Sequence, residues 1–247
     1  MRRSPLLMGV VAVIAIAAAG GIYGFATLFL HPAPSAVALD PSSSQAAASI
    51  GSLPSGATST LAAGIDGTWA VDTSIGSFSD FSGSWVGYRV DETLAGNRAN
   101  TAVGRTPDVT GSLTLDGTNI TDVQVTADLT TLQSDDLRRD GQLQRQGIET
   151  ARFPQATFKL TSPFDLGSAP ADGQAISATA TGDLTLHGVT KSVQVPIQAQ
   201  LSGDVVTVVG SIPIAFADYS IEPPTSFAIL SVEDHGTMEL QLHFRHQ

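Results

Sequence analysis

Four side chains near the C-terminus have the types that hold a divalent metal: Asp218, Glu233, Asp234 and His235. Carboxylate oxygen and imidazole together suit a hard or borderline cation, and such a site would assist hydrolysis. The same run beside Gly236 equally describes a solvated turn. His187 precedes Gly188 and has two readings, a turn-capping or solvent-facing imidazole, or a ring that meets a ligand head group at the edge of a pocket. Arg138, Arg139 and Asp140 are also double-valued. They form either an Arg–Asp network that docks a helix or a guanidinium that meets a phosphate or quinone oxygen. His243 and His246 fall on opposite faces of one strand, so a shared metal is not expected. No Gly-x-Ser-x-Gly elbow, phosphate-binding Gly-rich loop or His-Glu-x-x-His helix occurs, and the expectation is a protein without catalytic residues. Cysteine is absent, which removes disulfides, thiolate metal sites and thiol nucleophiles together.

The elements that position these groups read as strands. From Ile176 to Leu201 two alternating runs flank a connection at Gly188-Val189-Thr190-Lys191. Ile176, Ala178, Ala180, Gly182, Leu184 and Leu186 share one parity, and Val193, Val195, Ile197, Ala199 and Leu201 share the matching one. A period of two sustained this long predicts a hairpin with one buried and one wet face. Gly67–Asp72 and Ser84–Thr93 read as further strands. Leu113 and Leu115 lead through Asp116-Gly117 to Val123, Val125, Ala127 and Leu129, a second hairpin signal. Ala156–Thr161, Val205–Ile214 and Thr237–Arg245 complete a set of about eight strands. Ser134 followed by two acids resembles an N-cap, with Gly147 as the stop, so one helix of about three turns is predicted between them. Such strands must stack as two sheets or close on themselves, and the pattern alone does not choose.

The segment Leu184-Thr185-Leu186-His187-Gly188-Val189-Thr190-Lys191-Ser192-Val193 resembles the signature hairpin of the YceI-like family. Leu137-Arg138-Arg139-Asp140, followed by Arg152-Phe153-Pro154-Gln155-Ala156-Thr157-Phe158, is similar to that family's arginine-aspartate helix and its Phe-Pro-x-Ala-Thr-Phe strand. The resemblance covers roughly Gly67 to Arg245, more loosely over the first third and least over Ser82 to Val109. It implies a mainly β fold, an eight-stranded antiparallel lipocalin-like barrel with one short α-helix near a mouth. Several members bind polyisoprenoid lipids, so it also implies an isoprenoid ligand.

An eight-stranded barrel is either filled by its own side chains or holds one small ligand. Small residues on the inward parity, namely Ala178, Ala180, Gly182, Ala199 and Gly210, favour a cavity. They are also compatible with a filled core around bulky neighbours. Trp85, Tyr88, Phe153, Phe158, Phe164, Phe216, Phe227 and Phe244 are the aromatic groups expected at the interior. The residues expected at a ligand are Trp85, Tyr88, Arg138, Arg139, Asp140, Phe153, Phe158, Ala180, Gly182, Leu184, Leu186 and His187.

The chain of 247 residues carries 23 acids against 12 Lys and Arg, a net charge of −11. No basic stripe interrupts this, which argues against nucleic acid as a partner. Residues 6–30 contain no charge and follow Arg2 and Arg3, a length that crosses a bilayer core of about 30 Å. Residues 1–30 are therefore expected to be a transmembrane anchor with the remainder outside the cytoplasm. The rival is a cleaved signal peptide ending near Ala36-Val37-Ala38. Residues 31–65, rich in Ala, Ser and Pro, read as a flexible linker, and 66–247 as the barrel domain. The expected function is a membrane-tethered, extracytoplasmic barrel that holds a quinone or polyprenyl carrier by its isoprenoid chain. The alternatives are a filled protein-interaction barrel and, further off, a metal-assisted hydrolase. A homodimer is conceivable, although no exposed apolar strip demands one.

Overall fold

The computed structural model describes residues 33–39, 65–224 and 229–247. The expected anchor, most of the linker and Phe227 lie outside these. Among the described residues no helix is long and apolar enough to cross a membrane.

Alternation decides which side of each strand is dry, and thirteen antiparallel strands follow from it. They are β1 (Gly67–Val71), β2 (Trp85–Leu94), β3 (Arg98–Thr106), β4 (Val109–Asp116), β5 (Asn119–Asp128), β6 (Gln133–Ser134), β7 (Gln155–Ser162), β8 (Phe164–Asp165), β9 (Ala175–Leu186), β10 (Val189–Ser202), β11 (Val205–Ala215), β12 (Ile229–Val232) and β13 (His235–His246). Eight of them close a ring in the order β1-β4-β5-β7-β9-β10-β11-β13, with β13 returning to β1. Closure removes the sheet edges that an open arrangement would expose.

The other strands modify this ring, β2, β3, β6 and β12 at one end and β8 at the other. β13 is shared along one edge: Val71 of β1 pairs with Phe244, and further on Trp85 of β2 pairs with Gln241. β3 pairs with β2 and runs across Pro107 into β4, so the β2–β3 hairpin extends one side of the barrel. Short β6 adds to β3, β12 to β2 and β8 to β5. The sequence pattern missed β3 because its inward positions include Ala102 and Gly104, too small to mark a hydrophobic face.

The helix α1 (Leu137–Leu143) is shorter than expected, seven residues. Its N-cap is Asp136, whose carboxylate accepts from the Arg138 amide, rather than Ser134. Ser134 lies in β6, where its hydroxyl donates to Asp140 at 2.6 Å. The chain turns away after Leu143, and Gly147 instead bridges to Glu222. α1 and the loop after it belong to the stretch between β6 and β7, beside the β2–β3 hairpin.

The β9–β10 connection also differs from expectation. Leu186 pairs with Val189, leaving only His187 and Gly188 in the turn. Both have positive φ, 51° and 74°, which is the two-residue geometry that follows the twist of the strands. Gly188 is required twice over, since a Cβ there would also lie 2.7 Å from the Phe153 ring.

On the outer face a charged cluster is buried under loop and linker. Glu239 is 2 % exposed, 3.3 Å from Arg89 and 3.7 Å from Arg105. The Arg105 guanidinium lies between the rings of Phe81 (4.3 Å) and Trp85 (3.9 Å). Arg105 donates to the Ser35 carbonyl, and the Val37 amide donates to Glu239. Part of the segment read as a tether is thus seated on the barrel wall.

Candidate functional site

Two apolar cavities occupy the interior. The first, about 160 Å³, is lined among others by Trp69, Phe158, Ala178, Leu184, Leu240 and Phe244. The second, about 130 Å³, lies against the β2–β3 hairpin and α1 and is lined by Tyr88, Leu129, Arg139, Leu143, Leu186 and Phe216 among others. Val86, Ala156 and Met238 border both, so the two chambers are neighbours with a shared wall. A cavity of about 150 Å³ with apolar walls stays dry and accepts a hydrocarbon guest. The alanines of β9 and β10 create the space in the first chamber, where Ala178, Ala180 and Ala199 all face the void.

Among the described residues, charged side chains border only the second chamber. Glu92 shares the inward parity of Val86, Tyr88, Val90 and Leu94, and it is 7 % exposed. Arg139 reaches it from α1 at 3.0 Å and also bonds Asp135 one turn away. Asn100 donates to the same Glu92 oxygen at 2.7 Å. Burial acts to lower the Arg139 pKa, but Glu92, then Tyr88 and Asp135, outweigh it and the net direction is up. Burial pushes the Tyr88 phenol upward, so it remains a neutral hydroxyl at ordinary pH.

The residues expected at a ligand divide as follows. Phe158, Ala180 and Leu184 line the first chamber, and Tyr88, Leu186 and Arg139 the second. Gly182 lies beneath the Phe158 ring, where a Cβ would come within 2.5 Å of it. Trp85 must be corrected: its parity is opposite to that of Tyr88, and it packs on the outer face against Arg105. Arg138 is exposed on α1 and does not border either chamber. Asp140 does not border one either, and it holds the amide and hydroxyl of Ser134.

His187 and Phe153 are likewise not at the cavity. The His187 ring is buried, with Nδ1 2.9 Å from the Tyr219 carbonyl and Nε2 2.9 Å from the Glu149 carboxylate. Phe153 packs edge-on against it at 4.2 Å. The imidazole therefore ties the hairpin tip to the loop at Glu149 and to the 3-10 turn that ends at Tyr219. Of the other aromatic groups, Phe164 and Phe244 reach the first chamber and Phe216 the second.

Glu233, Asp234 and His235 do come together, all exposed, with Asp234 bonded to His235 Nδ1 at 2.9 Å. Asp218 is not part of this group and faces Lys191 at 3.5 Å. Sequence reasoning missed Glu92. The signal was available, since an acid on a buried parity has to be paired.

A closed eight-stranded antiparallel barrel with apolar cavities in its interior is of the up-and-down barrel class. Residues 39–244 match the model of the YceI-like domain, and the chain belongs to that family. A UPF0312 protein of Vibrio parahaemolyticus is 33 % identical over 144 residues, covering 53 % of this chain and 71 % of the relative. Protein YceI of Escherichia coli O157:H7 is 37 % identical over 103 residues, 40 % of this chain and 49 % of that protein. Among solved structures, a polyisoprenoid binding domain from Saccharophagus degradans, implicated in plant cell wall breakdown, shares the fold. Its TM-score is 0.56 at 19 % identity, over 73 % of this chain and 99 % of that one.

Proposed function

We propose that the barrel binds a long apolar chain of isoprenoid type and holds it through both chambers. The observation that carries this is the adjacency of the two cavities, which share Val86, Ala156 and Met238 and have largely apolar linings. Burying hydrocarbon gains about 0.8 kcal/mol per CH₂, so each five-carbon unit contributes roughly 3 to 4 kcal/mol before ordering costs. Two or three units suffice for firm binding. The fold shared with a polyisoprenoid binding domain supports the same reading. Binding of this kind needs no catalytic group.

We infer further that the barrel works outside the cytoplasm, tethered by its N-terminus. The support is in the sequence: Arg2 and Arg3 precede 25 uncharged residues. A tether would keep the barrel beside the bilayer that supplies its ligand.

The test is solvent extraction and mass spectrometry of residues 35–247, purified without detergent after expression in an extracytoplasmic compartment. A stoichiometric isoprenoid is the expected result. A barrel that stays empty, even after incubation with a quinone and a polyprenyl phosphate, refutes the proposal.

A further inference from the structure

One polar atom at the second chamber is unaccounted for. The Tyr88 hydroxyl is buried and has no hydrogen-bond partner among the described residues. Its position is built: the ring lies across Gly104 of β3, where a Cβ would sit 2.4 Å from Cε1 and 2.9 Å from the hydroxyl oxygen. Only glycine leaves room for the ring there. A buried, unpaired phenol is unfavourable unless something supplies an acceptor or donor.

The charged groups nearby limit what that something is. Arg139 is the cation that borders this chamber, and both Glu92 and Asp135 already hold it. Glu92, Asp135 and Asp140 all act on Tyr88 electrostatically, against the single opposing charge of Arg139. An arriving phosphate would meet an excess of negative charge, and it would lose its water in a chamber that offers no uncommitted guanidinium. A neutral oxygen needs only one hydrogen bond.

We propose that Tyr88 is the docking point for a neutral oxygen, carbonyl or hydroxyl, at the polar end of the bound chain, and that the second chamber discriminates against phosphate-ended chains. This rests on the reading of the cavity as an isoprenoid site and fixes the direction of the ligand. The polar end lies by β2, β3 and α1, and the tail extends into the first chamber.

The test uses the full chain and four ligands of one tail length: geranylgeraniol, geranylgeranial, geranylgeranyl phosphate and the corresponding hydrocarbon. Each displaces a fluorescent polyene fatty acid. In the wild-type protein the alcohol and aldehyde are expected to bind about tenfold or more tighter than the hydrocarbon, with the phosphate weakest. Tyr88→Phe is expected to bring the alcohol and aldehyde to the hydrocarbon level and leave the hydrocarbon itself within twofold. Glu92→Gln, which removes one negative charge, is expected to narrow the gap between phosphate and alcohol, and it serves if Tyr88→Phe does not fold. Tighter binding of the phosphate in the wild-type protein overturns the proposal. So does a Tyr88→Phe variant that binds all four as before. If none of the four binds, hydrocarbon included, the isoprenoid reading itself fails, and this inference with it. Binding of the hydrocarbon with no preference among ends leaves the first standing and overturns only the second.

Discussion

Replacing Ala178 by phenylalanine separates a ligand cavity from a merely loose core. Ala178 lies on β9 opposite Ile197, half-buried, and faces the first chamber of about 160 Å³. The change adds one phenyl ring. Apolar cavities of about 150 Å³ accept benzene, so the ring fits the chamber and fills most of it. In a filled barrel the same change overpacks the core and costs about 1 to 3 kcal/mol. Here stability is expected to remain within about 1 kcal/mol of wild type, because the ring gains contacts where there were none. The ligand is expected to suffer instead. Losing one five-carbon unit from the chamber forfeits about 3 kcal/mol, more than a hundredfold in affinity. Denaturant unfolding gives the first quantity, and displacement of a fluorescent polyene fatty acid by geranylgeraniol the second. A variant that loses 2 kcal/mol of stability yet binds as tightly as wild type would show that the reasoning about this chamber is wrong.

Other consequences follow from contacts outside the chambers. His187→Ala removes two hydrogen bonds and places alanine at a positive φ, so a loss of about 2 to 3 kcal/mol in denaturant unfolding is expected, with tail affinity within twofold. A variant of normal stability that no longer binds lipid would put His187 at the ligand after all. Glu239→Gln leaves Arg89 and Arg105 without their carboxylate on the covered outer wall, and about 3 kcal/mol of stability should go with it. An unchanged unfolding midpoint would mean that water reaches this cluster freely. The hydrogen bond to Asp234 favours the charged imidazole of His235, so its midpoint in an NMR titration should lie above that of an ordinary histidine. Asp234→Asn should bring it down, and no change would exclude the contact in solution.

Much of this architecture is legible from alternation, because a strand with one dry face announces itself residue by residue. Ile176–Leu201 and Thr237–Arg245 are the clearest instances, and both become long strands of the ring. Parity also identifies Ala178, Ala180 and Leu184 as inward. It fails where attention goes to residue size instead: Trp85 and Tyr88 are three apart and must face opposite ways, yet both are large aromatics and invite the same assignment. β3 fails for the converse reason, since its inward residues are small. The role of His187 was beyond sequence patterns, because its partners lie 38 and 32 positions away, in a loop and a single 3-10 turn without strand periodicity. Arg139 was legible as a candidate from its residue type and from the family resemblance, but neither named its partner. Its partner Glu92 falls in the region where that resemblance is weakest.

The uneven edge of β3 has a kinetic consequence. One side of this strand is laddered to β2 along its length, from Arg98 to Thr106, whereas strand pairing on the other side is confined to Gly104 and Arg105 against the two residues of β6. Local opening free energies are lowest where few ladder bonds must break together. Backbone amides of Arg98–Val103 should therefore exchange with deuterium well before those of β9 and β10, which are laddered to each other over twelve residue pairs. The wall beside the second chamber is then expected to open before the ring does, which under the proposed function gives a long chain a way in.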